Sequence, residues 1–541
     1  MNKIKLRALS LSVLVSSAFL CYSQSPEQPN KALQKLETDL EGGQYEISYY
    51  NTACYFAIAG KPSLAFRYLA QAIDNGFSQL DVMEQDTDLQ SLHQDPRWAV
   101  MQKNVQQNLT RKQKMDKLFF NQKSFWESGA IETPYSQNIS DNEKIAGLSK
   151  FWSEAKYNFV NFDLVSRLNF DSLYLSYLPK VRQTKSTLEY YLVLEQFAAV
   201  LSDGHTNVNM PRELVDSVYA RPLLRTRLIE DKVLIVGVYD PLLSQKGISV
   251  GQEVIMVNGL PVKDYAARYV IPYQSSSTPQ DRMVRAYDYA LLGGSLNKPI
   301  KLQLRNASNK ISEHIIQRVK PEERSKKLRT PTFLFRMLPG NIAYVALNTF
   351  GNDSTYIEFK ARFEEISKAK AIIFDVRNNG GGNTSPGWNI LSCLIDTSAS
   401  VHTSYTREYR PTYRAWNNNQ DVHVYQDDLF PNKKLLYTKP VVVLTSARTF
   451  SAAEDFAAAF KTMNRGLIIG EATGGSSGQP LGFRMPGNGT ARICTKRDML
   501  GNGDDFVGRG IQPDKVVAPT INDIRKGVDT ELQAAIREVM K

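Results

Sequence analysis

The sequence is poor in the residues that build covalent or metal-bound frameworks. It has four cysteines and five histidines in 541 residues. No C-x-x-C pair occurs and no two histidines stand at metal-ligand spacing, which disfavours a disulfide scaffold, structural zinc and a histidine-rich metal site. If Cys21 is removed with a leader, Cys54, Cys393 and Cys494 remain, which is an odd number. We therefore expect at least one unpaired and buried thiol.

Signals for nucleotides, nucleic acids and membranes are missing as well. The glycines at 380–382 lack the Lys-Ser or Lys-Thr that ends a phosphate loop, and their spacing matches no dinucleotide fingerprint. The formal net charge of +11 is spread along the chain without a basic stretch interleaved with aromatics. That distribution favours a solvated surface over nucleic-acid binding. Beyond the leader, no apolar run approaches the roughly 18 residues of a membrane span.

The first 23 residues have a basic start and then an apolar run from Leu9 to Leu20. This pattern is typical of a secretory signal peptide. Cleavage after Ser23 would leave a mature chain exported to the periplasm or the extracellular space. A lipoprotein would instead begin at Cys21, but Leu20 before it is bulkier than lipoprotein signals usually allow.

Residues 24–144 form a predicted N-terminal helical region. Between Tyr45 and Asn108 the apolar residues recur at steps of three and four, and Gly60-Lys61-Pro62 separates two helices. One such helical hairpin resembles a single tetratricopeptide-like unit, which cannot bury its apolar face alone. We expect a helical cap, with a peptide-binding groove as the alternative.

The remaining chain divides into three predicted parts. Residues 145–221 are helical and aromatic-rich, and they lead to the sequence around His205. Residues 222–320 carry short alternating segments, one of which ends in an Asn-Gly turn at 258–259. Residues 321–541 contain strands near 341–347, 371–376 and 441–444, followed by a helix that opens at Ser451.

Ser451 and the glycines at 380–382 each allow two interpretations. Ser451 and Glu454 fit a capping box, in which the serine only caps the helix. Alternatively, the helix-end amides face an anion, and a serine at this point can attack a carbonyl if a base activates it. The glycines fit a turn that needs positive φ, or a bare backbone whose N–H groups face a reacting oxygen. His205 by itself would be a structural histidine.

Five motifs in order make the chain resemble the tail-specific, or C-terminal-processing, serine protease family over about residues 145–520. Because His205 precedes residues 222–320 and Ser451 follows them, the order is similar to that of the tricorn protease core. The motifs are Asp203-Gly204-His205-Thr206, Phe374-Asp375-Val376-Arg377-Asn378-Asn379-Gly380-Gly381, Thr449-Phe450-Ser451-Ala452-Ala453-Glu454, Gly470-Glu471-Ala472-Thr473-Gly474-Gly475 and Gly510-Ile511-Gln512-Pro513-Asp514.

The resemblance implies an α/β fold with a crotonase-like (ClpP-like) core and a PDZ-like module inserted at 222–320. It implies that Ser451 is the nucleophile. Many relatives use a lysine base in a Thr-Phe-Gly-Lys-Gly stretch, but Ser476 stands in that place here. The histidine of the tricorn-like branch, which His205 matches, is therefore the expected base.

Two further roles are carried over from the family. The acid that orients the histidine has no direct counterpart, because the nearest position by counting is Val507. Asp505, with Asp504 as the alternative, is the expected substitute, and a solvated turn is the competing interpretation. The backbone N–H groups of Gly381 and Ala452 are the expected oxyanion hole.

Together these patterns predict an exported serine endopeptidase that acts on polypeptides without a metal or organic cofactor. Its PDZ-like module would bind an extended peptide by adding it as a strand. A non-catalytic protein on the same fold, binding hydrophobic ligands or peptides, is the alternative. A helical-repeat and PDZ adaptor with a vestigial core is a third interpretation.

Overall fold

The computed structural model describes residues 45–118, 125 and 129–541. The predicted signal peptide, including Cys21, lies outside the described residues. The chain divides into two compact units, residues 1–128 and 129–541. In the described ranges, no helix combines the length and the apolar character needed to cross a bilayer.

The first unit is helical, as the apolar spacing predicts. Gly60 adopts φ +66° after the first helix, and Pro62 occupies the first turn of the second, where its missing N–H costs nothing. Tyr50, Leu69 and Phe77 are among the side chains that fill its apolar core. Its helices are α1 Tyr45–Ile58, α2 Pro62–Asp74, α3 Leu80–Gln85 and α4 Arg97–Asp116.

The second unit contains fifteen of the α-helices that the structure describes. They are α5 Asp141–Asn158, α6 Phe170–Gln183, α7 Thr187–Ala199, α8 Val215–Val218, α9 Pro241–Gln245, α10 Val262–Tyr269, α11 Pro279–Met283, α12 Pro321–Lys327, α13 Ser354–Ala361, α14 Phe363–Ser367, α15 Thr384–Leu391, α16 Pro411–Ala415, α17 Ala452–Thr462, α18 Ile521–Lys526 and α19 Thr530–Val539.

All the described strands belong to the second unit. They are β1 Asn207–Asn209, β2 Leu224–Ile229, β3 Lys232–Val238, β4 Glu253–Val257, β5 Leu260–Pro261, β6 Ile300–Arg305, β7 Ile311–Ile316, β8 Phe333–Leu338, β9 Ile342–Leu347, β10 Ala371–Asp375, β11 Ala399–Glu408, β12 Asp421–Leu429, β13 Val441–Thr445, β14 Leu467–Gly470, β15 Pro480–Met485, β16 Gly489–Cys494, β17 Lys496–Leu500 and β18 Lys515–Val516.

A six-stranded sheet with the order β18-β14-β13-β10-β9-β8 forms the centre of the second unit. The strands from β18 to β9 run parallel, and β8 is the antiparallel edge. Both faces of β9, β10 and β13 are buried, which explains their continuous apolar sequences. Val345, Phe374 and Val443 face the core that contains α17, whereas Ile373 and Leu444 face α19.

Residues 222–320 contain an antiparallel sheet of their own, in the order β2-β3-β4-β6-β7. The predicted turn after β4 is present, because Asn258 and Gly259 have φ values of +49° and +84° and β5 pairs back onto β4. Val233, Ile235 and Leu302 belong to a separate apolar core beneath this sheet.

Two three-stranded sheets complete the unit. The sheet β1-β16-β15 packs against the aromatic-rich helices α5 to α7, and the sheet β12-β11-β17 lies next to α17. The expectation of at least one unpaired and buried thiol is confirmed, since Cys393 and Cys494 are both free and buried.

Candidate active site

Ser451 lies at the turn between β13 and α17, at the carboxyl edge of the central parallel sheet. Its backbone adopts φ +57° and ψ −130°, a conformation that costs a non-glycine residue on the order of 1–3 kcal/mol. The Ser451 N–H donates to the carbonyl of Ser476 at 3.1 Å and to the Glu454 carboxylate at 3.2 Å. These bonds from two sides hold the serine in this strained conformation.

The structure brings His205 to Ser451 across 246 residues of sequence. The His205 Nε2 lies 3.0 Å from the Ser451 Oγ, within hydrogen-bond distance. The backbone N–H of His205 donates to Asp203 Oδ1 at 2.9 Å, and the imidazole stacks on the Phe450 ring at a centroid distance of 4.8 Å. The imidazole is thus fixed in both position and plane.

The other nitrogen of this imidazole, Nδ1, lies 2.9 Å from the Ser476 Oγ. The structure does not bring Asp505, the acid predicted to orient the histidine, to this imidazole. Both carboxylate oxygens of Asp505 accept bonds from Arg497, at 2.9 and 2.8 Å, and Ser476 already occupies the position that an acid would need. The alternative, Asp504, is bonded to Asn502 in an exposed turn. Ser476 carried a sequence signal, since it stands where relatives have the lysine.

Glu454 connects the two serines, a role that its helix-capping position concealed. Its fully buried carboxylate accepts bonds from four groups. They are the Thr473 hydroxyl at 2.6 Å and the backbone N–H groups of Gly475 at 2.6 Å, Ser476 at 2.9 Å and Ser451 at 3.2 Å. Burial raises the pKa of this carboxyl to about 7, although the hydrogen bonds oppose the shift.

Gly381 and Ala452 lie beside the Ser451 side chain. A Cβ at Gly381 would stand 2.6 Å from Ser451 Cβ and 3.0 Å from the Ala452 nitrogen, and Gly381 has φ +94°. Ala452 is the first residue of α17, and its backbone N–H has no hydrogen-bond partner in residues 129–541. The Gly381 N–H donates to the Asn379 Oδ1 at 2.9 Å, so an oxyanion must share or displace that bond.

The electrostatic environment keeps His205 uncharged. Burial lowers the pKa of His205 to about 3, and the guanidinium charges of Arg492 and Arg285 act in the same direction. Neutral imidazole is the form that accepts a proton. At neutral pH the His205 Nε2 is therefore free to take the proton of the Ser451 hydroxyl.

One buried group in the described part of the second unit has metal-ligand chemistry, namely His402 with Asp455 and Asp498. Positive protein groups already lie beside its carboxylates. The Lys496 Nζ lies 2.9 Å from Asp498, and the His402 Nδ1 lies 3.0 Å from Asp427. An ammonium and an imidazole therefore occupy the space around the carboxylates, which makes this a buried ion network beside α17.

Comparison with known proteins agrees with the motifs. Residues 341–517 match the profile of Peptidase family S41. A C-terminal processing peptidase from the chloroplast of Tetradesmus obliquus is 32% identical over 183 residues, which is 33% of this chain and 36% of that protein. The carboxy-terminal processing protease CtpA of Bacillus subtilis is 24% identical over 269 residues, 49% of each chain. The resemblance to C-terminal-processing proteases is confirmed.

A solved structure extends the likeness beyond the matched segment. The structure of mature CPAF complexed with lactacystin has a TM-score of 0.58 and covers 74% of this chain and 98% of that one, at 15% identity. This likeness establishes a shared mixed α/β fold. The chain spans between about a third and half of the length of the curated relatives named above.

Proposed function

We propose that this chain is an exported serine endopeptidase that hydrolyses peptide bonds in polypeptides with Ser451 as nucleophile and His205 as general base. The observation that carries the proposal is the 3.0 Å approach of the His205 Nε2 to the Ser451 Oγ at the start of α17. The similarity to C-terminal-processing peptidases supports the same reaction class.

In the proposed reaction, the Ser451 Oγ attacks the substrate carbonyl while its proton passes to the His205 Nε2. In the tautomer that leaves Nε2 free to accept, the Nδ1–H of the same imidazole donates to the Ser476 Oγ. His205 then gives its proton to the leaving amine as the C–N bond breaks. Water attacks the acyl-enzyme through the same base, which restores the Ser451 hydroxyl.

The oxyanion is stabilised first by the Ala452 N–H, which is unbonded within the described residues and lies at the positive end of α17. The Gly381 N–H is the second donor, once Asn379 shares or releases it. Losing one such donor typically lowers kcat by about 10²–10³-fold. All of these groups belong to the protein, so the proposed chemistry needs no metal or organic cofactor.

The proposed organisation keeps a signal peptide at 1–23, a tetratricopeptide-like helical region at 24–144 and a crotonase-like core at 145–221 and 321–541. The segment 222–320 is the proposed PDZ-like module. Its six-stranded antiparallel sheet has the order β2-β3-β4-β6-β7 with β5 paired to β4, so β2 and β7 lie at its two ends. An edge strand offers unpaired backbone groups to which an extended peptide can be added.

The proposal is tested by covalent labelling of the purified protein with a fluorophosphonate probe, alongside Ser451→Ala and His205→Ala. Labelling of the wild type that disappears in both variants is the expected result. Labelling that survives Ser451→Ala would place the nucleophile elsewhere. A wild type that stays unlabelled with peptide present, while still binding peptide, would favour the non-catalytic binding protein or adaptor.

A further inference from the structure

Arg492 is a partly buried cation near the catalytic histidine. It lies on β16 directly opposite Asn207 on β1, two residues after His205, and its Nε donates to the Asn207 Oδ1 at 3.0 Å. Within residues 45–118 and 129–541, no carboxylate lies at ion-pair distance from Arg492. Its two terminal nitrogens likewise have no hydrogen-bond partner in that part of the chain.

Arg285 reaches the same histidine from the segment 222–320. Its Nε donates to Asp281 at 2.7 Å, and its Nη2 lies 3.4 Å from the carbonyl of Gly204. Its guanidinium lies 5.0 Å from the centre of the Phe450 ring, on which His205 stacks. Arg285 is therefore anchored one residue before His205, and Arg492 two residues after it.

The acids close to this pair are already in use. Asp281 is bonded to Arg285, and the oxygens of Asp203 accept from the N–H of His205 and from the Asn161 amide. Burial lowers the pKa of Arg492, the Arg285 charge lowers it further, and the Asp203 charge acts in the opposite direction. A half-buried guanidinium with two free donors is well suited to a bidentate carboxylate.

The position of Arg285 and Arg492 determines which part of a bound substrate would lie next to them. His205 must give its proton to the leaving amine, so the peptide that follows the scissile bond departs on the His205 side. Groups anchored to residues 204 and 207 border this leaving side. An anion bound there would lie on the C-terminal fragment of the substrate.

We propose that Arg492, assisted by Arg285, forms a carboxylate subsite on the leaving-group side of the active site. This inference rests on the proposed peptidase function and names its substrate class, namely peptides with a carboxylate within the first residues after the scissile bond. The carboxylate has two possible sources. It is the side chain of an aspartate or glutamate, or the terminal carboxylate of a short tail.

The test uses matched peptides built on a sequence that the wild-type protein cleaves. One pair ends two residues after the scissile bond, with a free or an amidated C-terminus. A second pair continues further and carries Asp or Asn at the second position after the bond. The ratio of kcat/KM between acid and neutral peptide is measured for the wild type, Arg492→Gln and Arg282→Gln. Arg282 lies on the same segment as Arg285 but bonds Ser276, so it is the matched control.

We expect the wild type to favour the acid form of at least one pair by about tenfold or more, mainly through KM. Arg492→Gln should reduce that ratio to near one, and Arg282→Gln should retain it. The pair whose ratio responds identifies the source of the carboxylate. Arg492→Lys keeps the charge without the guanidinium fork, and it should retain only part of the preference.

Equal cleavage of both members of both pairs by the wild type would overturn the subsite, as would a preference that survives in Arg492→Gln. Loss of the preference in Arg282→Gln would overturn it too. If Arg492→Gln does not react with the fluorophosphonate probe, Arg492→Lys decides, and an unchanged ratio there counts against the subsite. If no peptide sequence is found that the wild type cleaves, and the wild type does not react with the probe, the peptidase function itself is refuted.

Discussion

At the residue scale, the site is a chain of two serines joined through one histidine. Ser451 and Ser476 contact opposite nitrogens of the His205 ring. The group that orients the histidine is thus a neutral hydroxyl, where many serine hydrolases use a carboxylate. A carboxylate is present in this network as Glu454, but it does not bind the imidazole. It accepts hydrogen bonds from the backbone N–H groups of Ser451 and Ser476.

Replacing Ser476 by Ala should slow the reaction without abolishing it. The His205 Nδ1 loses its partner, so the imidazole spends less time in the orientation and tautomer that accept the Ser451 proton. We expect fluorophosphonate labelling to slow by about 10–100-fold. Ser477→Ala is the matched control, because its hydroxyl bonds Asp455 and not the histidine. Equal slowing in both variants would contradict a specific role for Ser476.

The pH dependence of the labelling rate should report the protonation of Glu454. Burial raises the pKa of this carboxyl to about 7, and protonation removes the charge that holds four donors. The pKa of His205, lowered by burial to about 3, leaves that base neutral well below pH 7. We therefore expect the labelling rate to fall as the pH drops through about 7. In Glu454→Gln the labelling rate should be low at all pH values. If the rate of this variant still falls as the pH drops through about 7, the titrating group is not Glu454.

At the scale of elements, the site depends on the close approach of the turn after β10 to the start of α17. The carbonyl of Asn379 accepts from the Phe450 N–H at 3.1 Å, and the side chain of Asn379 holds both Leu347 and Gly381. Parallel strands β9, β10 and β13 end at the same edge, which places their following loops together.

The two adjacent glycines of this turn should respond differently to a methyl group. At Gly381 a Cβ would stand 2.6 Å from Ser451 Cβ, and the φ of +94° adds backbone strain. We expect Gly381→Ala to reduce labelling by at least about 100-fold, comparable to loss of an oxyanion donor. At Gly380 a Cβ meets nothing within 4 Å, so Gly380→Ala should label nearly as fast as the wild type. Similar labelling of both variants would remove Gly381 from the site.

At the scale of the whole molecule, a buried ion network joins the sheet β12-β11-β17 to α17, the helix that begins directly after Ser451. His402 contacts Asp427 on β12 and Asp498 on β17, and it belongs to one buried group with Asp455 on α17. Burial opposes the charge on His402, but the two carboxylates raise its pKa to about 9. The network therefore couples α17 to the neighbouring sheet through charge.

Stability should decline on the alkaline side because of this histidine. A histidine whose folded pKa exceeds its unfolded value of about 6.5 stabilises the fold fully below pH 6.5, and this contribution is lost as the pH rises through about 9. We expect the free energy of unfolding, measured with denaturant and near-UV circular dichroism, to fall between pH 6.5 and 9. His402→Gln should flatten this dependence. His423→Gln, at a partly exposed histidine on β12, should preserve it, and equal slopes in all three proteins would refute the assignment.

The sequence by itself determined the parts of this protein whose chemistry is local. The apolar runs predicted β9, β10 and β13, and the Asn-Gly pair predicted the turn after β4. The motifs also pointed to Ser451 and His205, which the fold brings together. The strand and turn signals lie within a few neighbouring residues, because side-chain burial and turn geometry are set by short-range spacing. Local spacing left Ser451 as a helix cap and His205 as a structural histidine, and the family resemblance of the motifs supplied their roles.

Only the tertiary structure decided which group holds the histidine. The partners His205 and Ser476 are separated by 271 residues, so no local pattern records their contact. Counting along the chain favoured Asp505 because it is acidic and near the expected position, but Arg497 neutralises that carboxylate in the fold. The role of Glu454 was hidden for the same reason, since three of the four groups it binds come from residues 473–476 and lie beyond its own helix turn.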